Sequence, residues 1–117
     1  TFGDNDMLSA IVARLVGADL LIILSDIDGL YDKDPHEHAD AALISTVAKI
    51  DDTIEAAAGG EGSNRGTGGM RTKLNAARIA NEAGIDAVIA NGSVSRIVDD
   101  VLEGRERGTL FLAGSGA

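Results

Sequence analysis

Runs of aliphatic residues alternate along the chain with segments in which apolar residues recur at helical spacing. Leu20–Leu24 are five consecutive aliphatic residues bounded by polar ones, which predicts a strand buried on both faces, as in a parallel sheet. Asp86–Ala90 predicts a second short apolar strand and Thr109–Ala113 a last one. A weaker alternation over Ile44–Ile50 predicts one more strand.

Four other segments carry the helical pattern. They cover residues 8–15, 51–58, 70–83 and 97–102. Gly17 would end the first of these helices, Gly84 would end the third, and Ser93 or Ser95 would cap the fourth. Strands that alternate with helices indicate an α/β fold, and we expect a three-layer α/β/α sandwich with a mainly parallel sheet. Residues 1–113 would belong to one domain and residues 114–117 to a linker or tail.

Composition narrows the class of protein. With 117 residues, one domain is expected, and 44% hydrophobic residues exclude disorder. Aromatic residues make up only 3%, so the core must be aliphatic. A net charge of −9 argues against non-specific binding to nucleic acids or to anionic membranes. The chain has no cysteine and no apolar run long enough to span a bilayer, so a cytoplasmic protein is expected.

Glycine crowds the segment before the third predicted helix. Six glycines lie between positions 59 and 69, and Lys73 follows in the first turn of the helix. Glycine lets the backbone approach a ligand closely, and a helix N-terminus attracts anions. Lys73 lies outside the polar face of this helix. That face comprises Arg71, Asn75, Arg78 and Glu82. The segment predicts a nucleotide phosphate site without a Walker A ending; an ordinary surface helix after a flexible loop is the alternative.

Polar residues follow two of the predicted strands. Ser25 and Asp26 end one strand, and Asn91-Gly92 ends another. Ligands of α/β folds bind beyond the carboxyl ends of strands, so we expect one crevice shared with the glycine-rich loop. Asp26 and Asp28 could hold Mg²⁺, orient a lysine or contact a ribose. A turn with two solvated acids is the alternative.

Asn5 and Asp6 lie at the start of the first predicted helix. A capping role at that helix would account for both polar residues. Alternatively they point into the crevice, where the Asn5 amide would bind substrate and the Asp6 carboxylate would orient a lysine.

Four motifs carry a resemblance to a known family. They read Phe2-Gly3-Asp4-Asn5-Asp6, Ser25-Asp26-Ile27-Asp28-Gly29-Leu30-Tyr31, Gly66-Thr67-Gly68-Gly69-Met70 followed by Thr72-Lys73, and Gly108-Thr109-Leu110-Phe111. In this order and spacing, the chain resembles the glutamate-phosphorylating members of the amino acid kinase family over nearly all of its length. The resemblance implies transfer of the ATP γ-phosphoryl group to the γ-carboxylate of L-glutamate. The product would be glutamyl 5-phosphate, the first intermediate of proline synthesis.

The same resemblance implies roles for individual residues. Asn5 would contact glutamate, Asp6 would hold the catalytic lysines in place, and Lys73 would neutralise charge on the transferring phosphoryl group. The ATP site would comprise Ser25, Asp26, Thr67, Gly68, Gly69, Met70, Arg71, Thr72 and Lys73. ATP and Mg²⁺ are the implied cofactors, with no side chain assigned as a metal ligand. The full-length protein would be a homodimer or homotetramer.

The chain also departs from the family pattern. The N-terminal half of the family's fold, with a strand-borne lysine and a glycine-rich phosphate loop, is not among these residues, so we expect the chain alone to be inactive. Ser25 stands where the family usually has threonine, which keeps the hydroxyl. Two alternatives stay open: another amino acid kinase acting on acetylglutamate, aspartate or a nucleoside monophosphate, and a non-catalytic nucleotide-binding module.

Overall fold

The computed structural model describes residues 9–15, 18–33, 37–58, 69–104 and 107–113. Within these ranges the strands are β1 (Ser9–Leu15), β2 (Ala18–Ser25), β3 (Thr46–Val47), β4 (Asp86–Asn91) and β5 (Thr109–Phe111). The helices are α1 (Asp52–Ala57), α2 (Gly69–Glu82) and α3 (Ile97–Leu102). The strands form one sheet in the order β1-β2-β4-β5-β3.

The α/β fold is confirmed, and its sheet is mixed rather than mainly parallel. β2 pairs with β4, and β3 with β5, in parallel. β1 and β5 run antiparallel to β2 and β4, respectively. The six residues of α3 rise about 9 Å, which is too short to return the chain to the start of β4 for a parallel crossover. β5 therefore enters the sheet in the opposite direction.

The segment Ser9–Leu15 is a strand, so the helix predicted there is wrong. It pairs with β2 from Ser9↔Leu24 to Leu15↔Ala18. β2 has hydrogen-bonding groups along two edges; β4 covers one edge, and β1 covers the other. A helix at this place would leave that second row of backbone groups unpaired. Leu8, Ile11, Val12 and Leu15 recur at helical spacing. Within the segment, however, the β-branched residues Ile11 and Val12 favour the strand.

Two apolar clusters cover opposite faces of the sheet. Alternate residues of β2 and β4 turn to opposite sides, with Ile23 and Ile89 in one cluster and Ile22 and Val88 in the other. α1 and α2 pack on the first face, through residues that include Ala57, Leu74 and Ala77. α3 packs on the second face through Ile97 and Val101. The predicted three layers and the strand buried on both faces are confirmed.

The turn between α2 and β4 sets the direction of the helix. Gly84, at φ 83°, donates its N–H to the Asn81 carbonyl at 2.9 Å, and Ile85 donates to the Ala80 carbonyl at 2.8 Å. These two bonds form a Schellman motif, and the predicted end of the helix at Gly84 is confirmed. The helix runs back over β4, and both elements span about 20 Å. The start of α2 therefore lies at the end of the sheet where β2 and β4 finish.

The strand predicted over Ile44–Ile50 is shorter in the structure. Only Thr46–Val47 pairs with β5. Ile44 instead donates its N–H to the Leu30 carbonyl at 2.8 Å, which draws residues 43–44 towards the loop after β2. Local alternation could not show this competing partner.

Candidate functional site

β2 and β4 end side by side. Ser25 and Asn91 face each other in the parallel register, and each is the last residue of its strand. Gly92 donates its N–H to the Ser25 carbonyl at 2.8 Å, which extends the pairing one residue beyond β4. The prediction that Ser25-Asp26 and Asn91-Gly92 lie together at strand ends is confirmed.

Ser25 and Asp26 differ in exposure. The Ser25 side chain is buried, and its hydroxyl accepts a hydrogen bond from the Ile27 N–H at 3.3 Å. That contact turns the chain out of the sheet directly after β2. Asp26 is exposed. Its carboxylate is therefore accessible at this strand end, whereas the Ser25 hydroxyl is not.

Asp28 and Asn91 connect the two strand ends through their side chains. The Asn91 amide nitrogen donates to Asp28 Oδ1 at 3.2 Å. The Asn91 amide oxygen accepts from the Ser93 N–H at 2.9 Å and from the Ser93 hydroxyl at 2.6 Å. Ser93 therefore hydrogen-bonds to Asn91 and does not cap α3. The predicted cap at Ser93 or Ser95 is wrong. Arg96 occupies the cap position without a side-chain hydrogen bond to the helix.

Tyr31 lies on the far side of Asp28. Its hydroxyl is 3.5 Å from Asp28 Oδ2, at the outer limit of a hydrogen bond. Partial burial, followed by the negative charge of Asp28 and this hydrogen bond, raises the pKa of Tyr31 above its usual value. Tyr31 also forms an antiparallel bridge with Leu43, which braces the loop after β2.

A second group of contacts holds the same loop from inside. Thr109 of β5 is fully buried; its hydroxyl accepts from the Leu30 N–H at 2.9 Å and donates to the Ile44 carbonyl at 2.6 Å. Gly29 passes so close that a Cβ there would lie 2.7 Å from Thr109 Oγ1. Position 29 must therefore be glycine, because Thr109 of β5 leaves no room for a side chain there. The sequence marked Thr109 only as the start of a predicted strand and as part of the Gly108–Phe111 motif, and neither signal indicated its buried hydrogen bonds.

The start of α2 carries five of the predicted ATP-site residues. Gly69 is the first helical residue, and Met70 packs against the core under the helix. Arg71 and Thr72 are exposed, whereas Lys73 is half-buried next to the buried Leu74. The helical projection is confirmed, because the polar face is more exposed than the side that holds Lys73. Arg78 on that polar face pairs with Glu55 of α1, which joins the two helices.

Four predicted site residues lie outside the described part of the chain. They are Asn5, Asp6, Thr67 and Gly68. Their roles, and the proximity of the Thr67–Met70 turn to Asp26, stay predictions.

Two properties of the described residues bear on the class of site. Among them, no three acidic or histidine side chains are grouped so that they could hold a metal ion. The described helices also include none with the length and apolar character needed to cross a membrane.

The comparisons with known proteins agree on one family. The sequence model of the amino acid kinase family matches residues 1–91. Glutamate 5-kinase of Clostridium perfringens is 56% identical over 115 residues, which cover 98% of this chain and 43% of that protein. Glutamate 5-kinase of Methanosarcina barkeri is 57% identical over 112 residues, or 96% of this chain and 29% of that protein. The chain thus spans less than half the length of these curated relatives.

A solved structure shows the same fold. An isopentenyl phosphate kinase superposes with a TM-score of 0.53 at 27% sequence identity, over 77% of this chain and 30% of that chain.

Proposed function

Because the chain belongs to the amino acid kinase family, we propose that it forms the ATP-binding part of an enzyme that phosphorylates L-glutamate. In this reaction an oxygen of the glutamate γ-carboxylate bonds to the γ-phosphorus of ATP. The bond from that phosphorus to the β,γ-bridging oxygen breaks, which yields glutamyl 5-phosphate and ADP. The observation that carries the proposal is the 56% identity to a glutamate 5-kinase over nearly the whole chain.

The arrangement of the described residues supports a nucleotide site. The start of α2 comes to the end of the sheet where β2 and β4 finish, so the N–H groups of its first turn and its dipole favour bound phosphates. Phosphoryl transfer depends mainly on alignment and on positive charge. In a chain with a net charge of −9, that charge must be local. We assign it to Lys73, with Thr67, Gly68, Gly69, Met70, Arg71 and Thr72 around the phosphates.

The exposed strand end would hold the rest of the nucleotide. We assign Ser25 and Asp26 to the ATP site, Asn5 to glutamate and Asp6 to the orientation of the catalytic lysines. Mg²⁺ would neutralise phosphate charge when bound. We assign it no protein ligand, because in such sites the ion is held largely by phosphates and water. A cytoplasmic homo-oligomer completes the proposal.

A chimera tests the proposed function. The chain replaces the matching 115 residues of the Clostridium perfringens glutamate 5-kinase, and hydroxylamine traps any acyl phosphate formed from glutamate and ATP. We expect activity, and we expect Lys73→Ala to lower kcat about 100-fold or more, since it removes a charge from the transition state. Lys49→Ala is the matched control, because Lys49 is an exposed lysine away from the ends of β2 and β4.

Each contrary result points to a different function. Activity with acetylglutamate, aspartate, a nucleoside monophosphate or isopentenyl phosphate, and none with glutamate, would overturn the substrate. ATP binding without transfer to any acceptor would indicate a non-catalytic nucleotide-binding module.

A further inference from the structure

We propose that Asn91 is a positioning residue, which acts through its hydrogen bond to Asp28 to set the affinity of the site for ATP. The inference rests on the proposed function in one respect: it takes the ends of β2 and β4 as the place where the nucleotide binds.

The Asn91 side chain has a fixed orientation. Its amide oxygen accepts two hydrogen bonds from Ser93, from the backbone N–H and from the hydroxyl. A rotated amide would place its NH₂ group against the Ser93 N–H, so the oxygen must face Ser93 and the nitrogen must face Asp28. Asn91 therefore links Ser93 to Asp28 in one orientation only: its amide oxygen accepts from Ser93, and its amide nitrogen donates to Asp28.

The bond from Asn91 to Asp28 holds a loop that has few backbone hydrogen bonds of its own. β2 ends at Ser25, and the next backbone hydrogen bond along the described loop joins the Ile44 N–H to the Leu30 carbonyl. Between these points side chains hold the loop: the Ser25 hydroxyl bonds to Ile27, Asn91 and Tyr31 bond to Asp28, and the Thr109 hydroxyl bonds to Leu30. Asp26 lies inside this stretch and is exposed. The position of its carboxylate relative to the start of α2 therefore depends on the bond from Asn91 to Asp28.

The hydrogen bond from Asn91 to Asp28 also affects the electrostatics of the site. Asp28 is an exposed acid at an edge that would receive a polyanion, and the Asn91 donor stabilises its carboxylate in one place. An aspartate at position 91 would still accept from Ser93, but it would face Asp28 with a like charge. The carboxylates would repel each other and push the loop outward.

A reciprocal exchange separates this role from general packing. Asn91→Asp opposes two carboxylates, Asp28→Asn keeps an acceptor opposite Asn91, and the double variant restores one donor and one acceptor in reversed order. We expect Asn91→Asp to weaken ATP binding about tenfold, the loss of one charge-assisted hydrogen bond. The double variant should recover most of this loss, and kcat at saturating ATP should change little in either protein.

The experiment measures ATP affinity in the same chimera by displacement of a fluorescent ATP analogue, without glutamate. Asp99→Asn is the control for charge, because Asp99 is an exposed acid of α3 whose carboxylate lies 3.7 Å from Arg96. If Asn91→Asp does not fold, as judged by circular dichroism, the cycle is repeated with Asn91→Ala, Asp28→Ala and the double variant. Asn91→Ala should then weaken ATP binding, and the double alanine variant should bind ATP more tightly than the sum of the two single changes predicts, because residues that act through one bond are not additive.

The outcomes are distinct from those of the functional test. Unchanged ATP affinity in Asn91→Asp, or no recovery in the exchanged pair, overturns the positioning role even if glutamate is phosphorylated. Recovery of affinity in the exchanged pair supports it even if the phosphoryl acceptor is a different compound. A chimera that folds and binds no ATP overturns both.

Discussion

The loop after β2 is held by two sets of contacts that differ in their access to water. On the inner side, the fully buried Thr109 hydroxyl bonds to Leu30 and Ile44. On the outer side, Asn91 bonds to Asp28 where both groups meet solvent. A buried polar group that loses its partner has no water to replace it, whereas an exposed one does. The inner contacts therefore stabilise the fold, and the outer contacts remain within reach of a ligand.

The largest effect on stability is expected at Gly108, which precedes Thr109. Its φ is 73°, and a Cβ there would overlap the carbonyl oxygen of Ile89. Gly108→Ala should lower the free energy of unfolding by about 4 kcal/mol or more, because left-handed strain and overpacking add. Chemical denaturation followed by circular dichroism measures the loss.

Gly104→Ala is the matched control for Gly108→Ala. Gly104 has a φ of 84° but open space around the position of a Cβ. It should cost only the strain, about 1–2 kcal/mol. Equal losses at the two glycines would show that β5 does not lie against β4 as closely as described.

The next largest effect is expected at Thr109 itself. Thr109→Val keeps the shape and removes the hydroxyl, so the Leu30 N–H and the Ile44 carbonyl lose their partner. We expect a loss of about 2–4 kcal/mol in unfolding free energy. Thr109→Ser, which keeps the hydroxyl and loses a methyl group, should cost about 1 kcal/mol. A valine variant as stable as the serine variant would contradict the stabilising role of the buried contacts.

The smallest effect belongs to the outer side and concerns the ionisation of Tyr31. It is the only tyrosine, and the chain has no tryptophan, so the near-ultraviolet absorbance of this chain reports its titration directly. Burial and then Asp28 raise the pKa of Tyr31, so the folded protein holds the proton more tightly than the unfolded chain. Its contribution to stability is complete below the unfolded pKa of about 10 and is lost as the pH rises through the folded pKa.

Asp28→Asn tests the source of this shift. Removing the charge should lower the pKa of Tyr31 towards its usual value, and burial should keep part of the shift. Asp99→Asn serves as the control, since Asp99 does not contribute to the shift of Tyr31. An unchanged titration in Asp28→Asn would separate Tyr31 from the outer contacts.

The elements that the sequence predicted well are those with a dense local signal. β2, β4, α2 and α3 follow from uninterrupted aliphatic runs or from a complete apolar stripe, and Gly84 marked the end of α2. The prediction failed for Ser9–Leu15, where the apolar residues recur at helical spacing but the segment pairs as a strand. The free edge of β2 decided between them.

Part of the candidate site was also predictable. The polar residues after two buried strands indicated that Ser25 and Asn91 would meet, because parallel neighbours end at one edge. The bond between Asp28 and Asn91 was not predictable, since it depends on the register of strands that are separated by more than sixty positions. Thr109 was missed for the same reason: a threonine at the start of a strand has no local feature that marks it as buried.

Local sequence determined which segments bury apolar surface, where the helices end and which polar residues follow the strands. Those properties depend on neighbours within a few positions, where spacing and propensity act directly. The tertiary structure alone decided the direction of β5, the strand that covers the edge of β2, and the partners of Asn91 and Thr109. Each of these results from backbone and side-chain groups that pair only after distant segments have come together, because a hydrogen-bonding group that enters the core must find a partner there.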